Sequence, residues 1–234
     1  MRSIFFTFLL FSSALSASAP YMHAYLTQAF FCHFPKYTPE EQLKFMNGTQ
    51  FADIRYLGDV KRVETHFRTV TLKEILEEEN PFYAGLKFHS YVDNVRDAFV
   101  LSSNIYDQFP DKTPYTRTRL LKFYEDELIY PYVDTNQCIQ AMKIFYPEER
   151  EWNMEGATLR KWHYLIRAYL SFAPSTSIWL LTFTDTQFHG SSSKEKEELY
   201  HFLRKNKKNP VFRRYLHGFL VEFRKKFEEA KKNA

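Results

Sequence analysis

Glycine is scarce in this chain, with 6 in 234 residues. That is too few for a turn-rich β-sandwich or a glycine-loop nucleotide binder. Cys32 and Cys138 are the only cysteines; so far apart in sequence, they read as a pair in an oxidising compartment or as two buried thiols. After the first twenty residues, no run reaches the roughly 18 consecutive apolar residues of a membrane-spanning helix. Several catalytic signatures are also missing. There is no H-E-x-x-H metalloprotease helix, no G-x-S-x-G elbow, no G-x-x-x-x-G-K-[ST] loop and no adjacent His-Asp dipeptide.

What is present is aromatic and periodic. The 24 Phe and 16 Tyr fall in long segments of helical spacing, separated by short Pro, Gly, Asn or Thr breaks. This predicts an all-α protein built as a single multi-helix domain. Helices are expected over Met22–Phe34 and from Pro39, capped by Thr38, to a stop at Gly48. Gly48–Gly58 reads as a short helix or turn. A helix capped by Thr71 ends before Asn80-Pro81, and a long one covers Pro81–Ser103. Further helices are expected near Tyr115–Ile129, Thr135–Phe145, Met154–Phe172 and, after a connection over Ser171–Ser177, Ile178–Phe188.

The first residues carry Arg2, an apolar run Ile4–Phe11 and then small residues, the pattern of a secretory leader over 1–18 with cleavage near Ser16 to Ser18. The remainder would be secreted or periplasmic. It divides into a helical domain, 19–190, and basic amphipathic helices, 191–234, joined by a linker at His189–Glu198. Residues 194–234 hold 13 Lys/Arg against 6 Asp/Glu, so a net +4 chain is −3 outside this segment. The cations alternate with Phe202, Phe212, Tyr215, Phe219 and Phe223. Such a helix can contact an anionic membrane, or pack its aromatic stripe on the core and solvate its charges. No partner protein is implied. Asn47-Gly48-Thr49 fits a glycosylation sequon.

His89 and Asp93 lie four residues apart on the inward stripe of the Pro81–Ser103 helix, with Phe82, Leu86, Val92 and Phe99. A buried carboxylate needs compensation, and a divalent cation beside a histidine provides it. Asp53 and His66 can complete a compact site with two neutral imidazoles and two carboxylates. His23 would add a ligand to a neighbouring ion. Arg55 and Arg62 flank this set and can bind a phosphate, or form surface salt bridges. Glu125, Asp126, Glu127 and His163 are further donors, each read first as a surface or core-edge group.

The stretch GTQFADIRYLGDVKRVETHF, followed by GLKFHSYVDNV, resembles the zinc-dependent phospholipase C and single-strand nuclease superfamily, and more closely its secreted bacterial phospholipase C-like members. The similarity covers about residues 20–100. It implies an all-α fold and one to three zinc ions (Zn2+) bound by His23, Asp53, His66, His89 and Asp93, with Asp53 also orienting the attacking water. A phospholipid or other phosphodiester would be the substrate. The chain departs from the family in its second half: no later histidine is followed at the fourth position by a carboxylate, and no tryptophan stands near residue 20. These departures favour an alternative, a secreted non-catalytic binding protein that retains a single structural zinc.

Overall fold

A computed structural model of the protein describes residues 20–109, 117–182 and 193–232. Every regular element among them is helical: α1 (Pro20–His33), α2 (Pro39–Phe51), α3 (Arg62–Thr65), α4 (Leu72–Leu76), α5 (Pro81–Ser103), α6 (Arg117–Ile129), α7 (Thr135–Ala141), α8 (Gly156–Leu170), α9 (Pro174–Thr182), α10 (Ser193–Asn206) and α11 (Pro210–Lys232), with short 3-10 turns between them. The expected leader and the 190/191 boundary lie outside the described residues. None of the described helices is long and apolar enough to cross a membrane.

Local chemistry sets the helix starts. Thr38 and Glu41 form a reciprocal capping box ahead of Pro39, and Thr71 and Glu74 form another. Asn80 caps α5 by accepting from the Phe82 amide, with Pro81 in the first turn, where no intrahelical donor is lost. Asn104, at φ 51°, ends it in the left-handed region that asparagine tolerates.

Besides α7 ending at Ala141 rather than Phe145, two shifts of expected boundaries are informative. α2 runs through Gly48 to Phe51 rather than stopping there. Gly48 is a contact point instead: an added Cβ would lie 2.0 Å from the Phe82 carbonyl oxygen, and one on Gly85 would lie 2.0 Å from that of Phe45. The two glycines let α2 and α5 cross backbone to backbone, and Thr49 Oγ1 donates to the Gly85 carbonyl at 3.2 Å. The second shift is in α9, which starts at Pro174 inside the expected connection. Buried Glu127 caps it, accepting from the Ser175 amide at 2.8 Å.

The core is aromatic. Phe30 lies 5.3 Å from Phe45, 4.9 Å from Phe88 and 5.9 Å from Phe227 between ring centroids, the tilted and offset packings rings prefer. Through Phe212, Phe219, Phe223 and Phe227, α11 buries its apolar stripe in this core. Its cations point outward. The Asn47 sequon is closed, because Asn47 is fully buried and donates to the Ala141 and Ile144 carbonyls. Cys32 is exposed and Cys138 buried, and the two are not bridged.

Candidate metal centre

Four segments deliver the five expected ligands to one place. His23 projects from the first turns of α1, whose start is clamped: the Tyr21 and Met22 amides donate to the Asp126 carboxylate at 3.4 and 3.0 Å, and Gln50 donates to the Pro20 carbonyl. Asp53 sits in the 3-10 turn that tightens the end of α2. His66 terminates α3 in an extended conformation. His89 and Asp93 come from successive turns of α5. All five are buried, with relative exposures of 1% to 8%.

Their atoms converge without hydrogen bonding. His66 Nε2 lies 3.5 Å from Asp53 Oδ1 and 4.0 Å from Asp93 Oδ2. His89 Nε2 lies 3.8 Å from Asp53 Oδ2 and 3.7 Å from Asp93 Oδ2. His23 Nε2 lies 3.4 Å from Asp93 Oδ1. Protein N–H···O bonds run about 2.7–3.2 Å, so these separations are too long. They come close to the edges of a tetrahedron around zinc, where bonds of about 2.0–2.2 Å place ligands roughly 3.3–3.6 Å apart. Both Asp53 oxygens, His66 Nε2 and His89 Nε2 are buried with no hydrogen-bond partner. Such orphans are rare unless something else satisfies them.

Tautomer sharpens the case. His89 Nδ1 is 2.9 Å from the Thr49 carbonyl oxygen, which only accepts, so Nδ1 carries the hydrogen. Nε2 then turns a lone pair on two carboxylates, an arrangement that a cation between them would satisfy. A proton is disfavoured there, because burial and then neighbouring His23 push the His89 imidazole down to about 4. Burial likewise lowers His66. For Asp53 and Asp93 burial opposes ionisation, but His89 beside the first and His23 beside the second outweigh it and hold both below the usual carboxylate range. Two carboxylates with neutral imidazoles leave a negative charge, which Arg55 and Arg62 meet from the periphery and which a dication at the centre could also balance.

The five donors form two overlapping groups, Asp53–His66–His89 and His23–His89–Asp93. His89 has one free nitrogen, so it serves one ion. Asp53, His66 and His89 could hold one ion, with Asp93 Oδ2 beside them at 3.7 Å from His89 Nε2 and 4.0 Å from His66 Nε2, and a second ion would keep only His23 and Asp93 Oδ1. The His23 ring stacks on His89 at 3.9 Å and 11°, fixing its plane. Arg62, with a half-exposed side chain, lies 3.7 Å from Asp93 Oδ2, and Arg55 Nε lies 3.8 Å from Asp53 Oδ1. His66, Asp93 and Arg62 mark the solvent side.

The other donors are elsewhere, and they are interior groups rather than surface ones. Glu125 binds Arg96 Nε at 2.7 Å and accepts from Tyr215 at 2.6 Å. Asp126 caps α1 and accepts from Tyr169, while Glu127 caps α9 and pairs with Lys207. His163 is held by Glu149 at 2.6 Å. The orienting carbonyl of Thr49 and the clamp on α1 escaped sequence reading, since a backbone group leaves no residue signal. The chain matches no family model, no curated protein and no solved structure.

Proposed function

We propose that this protein is a phospholipase C-like zinc hydrolase of phosphoester bonds, with one ion held by Asp53, His66, His89 and Asp93. The observation that carries the reading is the lone pair of His89 Nε2, fixed by Thr49 and aimed between two buried carboxylates. Donor chemistry supports it too, since imidazole and carboxylate without cysteine is the set of hydrolytic zinc sites. Bound zinc supplies Lewis acidity toward a phosphoryl oxygen and toward water. Arg62 holds the substrate's anionic oxygens on the solvent side. Asp53 orients the attacking water, and His23 keeps the His89 ring in plane.

A second reading, a non-catalytic protein with one structural zinc, is favoured by the four-donor shell, which leaves no protein-free position in a tetrahedron. Elemental mass spectrometry with a chromogenic phosphodiester separates the two. One zinc per chain, lost in His89→Ala/Asp93→Ala, with turnover that disappears in the same variant, supports the hydrolase. One zinc without turnover moves the assignment to the structural role. Absence of zinc from protein purified without chelator sinks both.

A further inference from the structure

A groove follows the seam between α1 and α11. One stretch, of about 340 Å3, is lined by Leu26, Ala29, Leu220 and Val221 together with His33 and Arg224. A second, of about 350 Å3, shares Tyr25, His217 and Leu220 with the first and adds Leu128, Ile129 and Arg213. The shared residues make the two continuous, and each is the size of a small-ligand site. Neither lining contains a carboxylate. One of the lining residues, His33, is paired with Glu228 at 3.3 Å.

The flank of this groove is basic. Arg213, Arg214, Arg224 and Lys225 are exposed on α11, with Arg204, Lys205 and Lys208 exposed on and just after α10. The aromatic stripe of α11 cannot enter a bilayer, because its phenylalanines are at most 1% exposed. A membrane contact through α11 must therefore use its opposite, cationic face. We propose that this face and the α1–α11 groove dock the protein on an anionic membrane, the arginines meeting headgroups and the aliphatic lining taking an acyl chain. Nucleic acid would satisfy the cations equally, but the groove's phenylalanines, Phe223 and Phe227, are each 1% exposed and cannot stack on a base, whereas its Leu26, Ala29, Leu128, Ile129, Leu220 and Val221 suit an acyl chain. The surface contains none of the metal ligands, so docking is independent of zinc.

Co-sedimentation of the full chain with phosphatidylserine-containing vesicles, against pure phosphatidylcholine vesicles, tests this. Binding should be selective for the anionic vesicles, fall as salt shortens screening from about 10 Å at 0.1 M to about 3 Å at 1 M, and survive EDTA. Each surface cation is worth about fivefold in partitioning, so Arg213→Gln/Arg224→Gln should lose roughly 25-fold. Val221→Asp, at a site already 37% exposed, should weaken binding by placing a carboxylate in the groove. Circular dichroism checks that both variants fold. Failure to bind anionic vesicles, or wild-type binding by the arginine variant, overturns the proposal. Tight single-stranded DNA binding without vesicle binding would reassign the face to nucleic acid.

Discussion

Gly85→Ala is the smallest change that tests how the centre is built. The added methyl would lie 2.0 Å from the Phe45 carbonyl oxygen and 2.9 Å from both the Phe45 carbonyl carbon and the Thr49 amide nitrogen. All three are backbone atoms, so no side chain can swing away, and α2 must retreat by about 1 Å to reach even the 3.0 Å floor of real contacts. Overpacking costs about 1–3 kcal/mol, and replacing a helical glycine returns roughly 1 kcal/mol. With only backbone to displace, the upper end applies. A net loss of about 2 kcal/mol lowers the melting temperature by about 4–8 °C in a chain this long. Thermal unfolding followed by circular dichroism reads that shift. The same displacement pulls the Thr49 carbonyl from His89, and loss of such an orienting partner costs about 10–100-fold in metal affinity. Gly48→Ala opens the same seam from the other side, so the double variant should lose less than the sum of the singles. A Gly85→Ala protein that melts at or above wild type would refute the close-crossing account.

Two further outcomes follow from buried charge. Arg96, 2% exposed, is paired with Glu125 at 1% exposure, so Arg96→Ala should cost about 3–5 kcal/mol by stranding a carboxylate, and Arg96→Met/Glu125→Gln should cost less in the same denaturant titration. Asp126 is pushed up to about 8 by burial, against the pull of its hydrogen bonds from Tyr169, Met22 and Tyr21. A folded value above the unfolded one, near 3.9, means the folded state keeps its proton longer. Stability should be fullest below about pH 4 and decline toward pH 8, by at most about 1.4 kcal/mol per unit. Melting temperature against pH should flatten over that window in Asp126→Asn, and parallel slopes would show that Asp126 is ionised when folded.

The legible parts of this fold were those written in side-chain chemistry close in sequence. Thr38 with Glu41, Thr71 with Glu74 and Asn80 with Pro81 announce helix starts, and the observed starts follow them. Gly48 misled for a physical reason: in isolation glycine weakens a helix, and only the distant Phe82 carbonyl shows why it stands inside one. α9 was misplaced because its cap is Glu127, 48 residues away. Glu125, Asp126 and Glu127 looked like solvated charge. Their partners Arg96, Tyr169 and Ser175 come from three other segments, and no local pattern reports such a meeting.

His89 and His163 show where sequence reading ends and geometry decides. Each is 1% exposed, and each has Nδ1 at 2.9 Å from a backbone carbonyl, of Thr49 and Met142 respectively. Both therefore present Nε2 to carboxylate. At His163 the Glu149 oxygen lies at 2.6 Å, a separation that holds a shared proton and has no room for an ion. At His89 the nearest carboxylate oxygens stand off at 3.7 and 3.8 Å, too far for a proton to bridge well and close to the spacing of two ligands on one zinc. About one ångström of separation thus divides a structural histidine from one placed to bind the proposed metal. That ångström is set by the crossing of α2 over α5, which fixes Thr49 and the turn carrying Asp53 against His89.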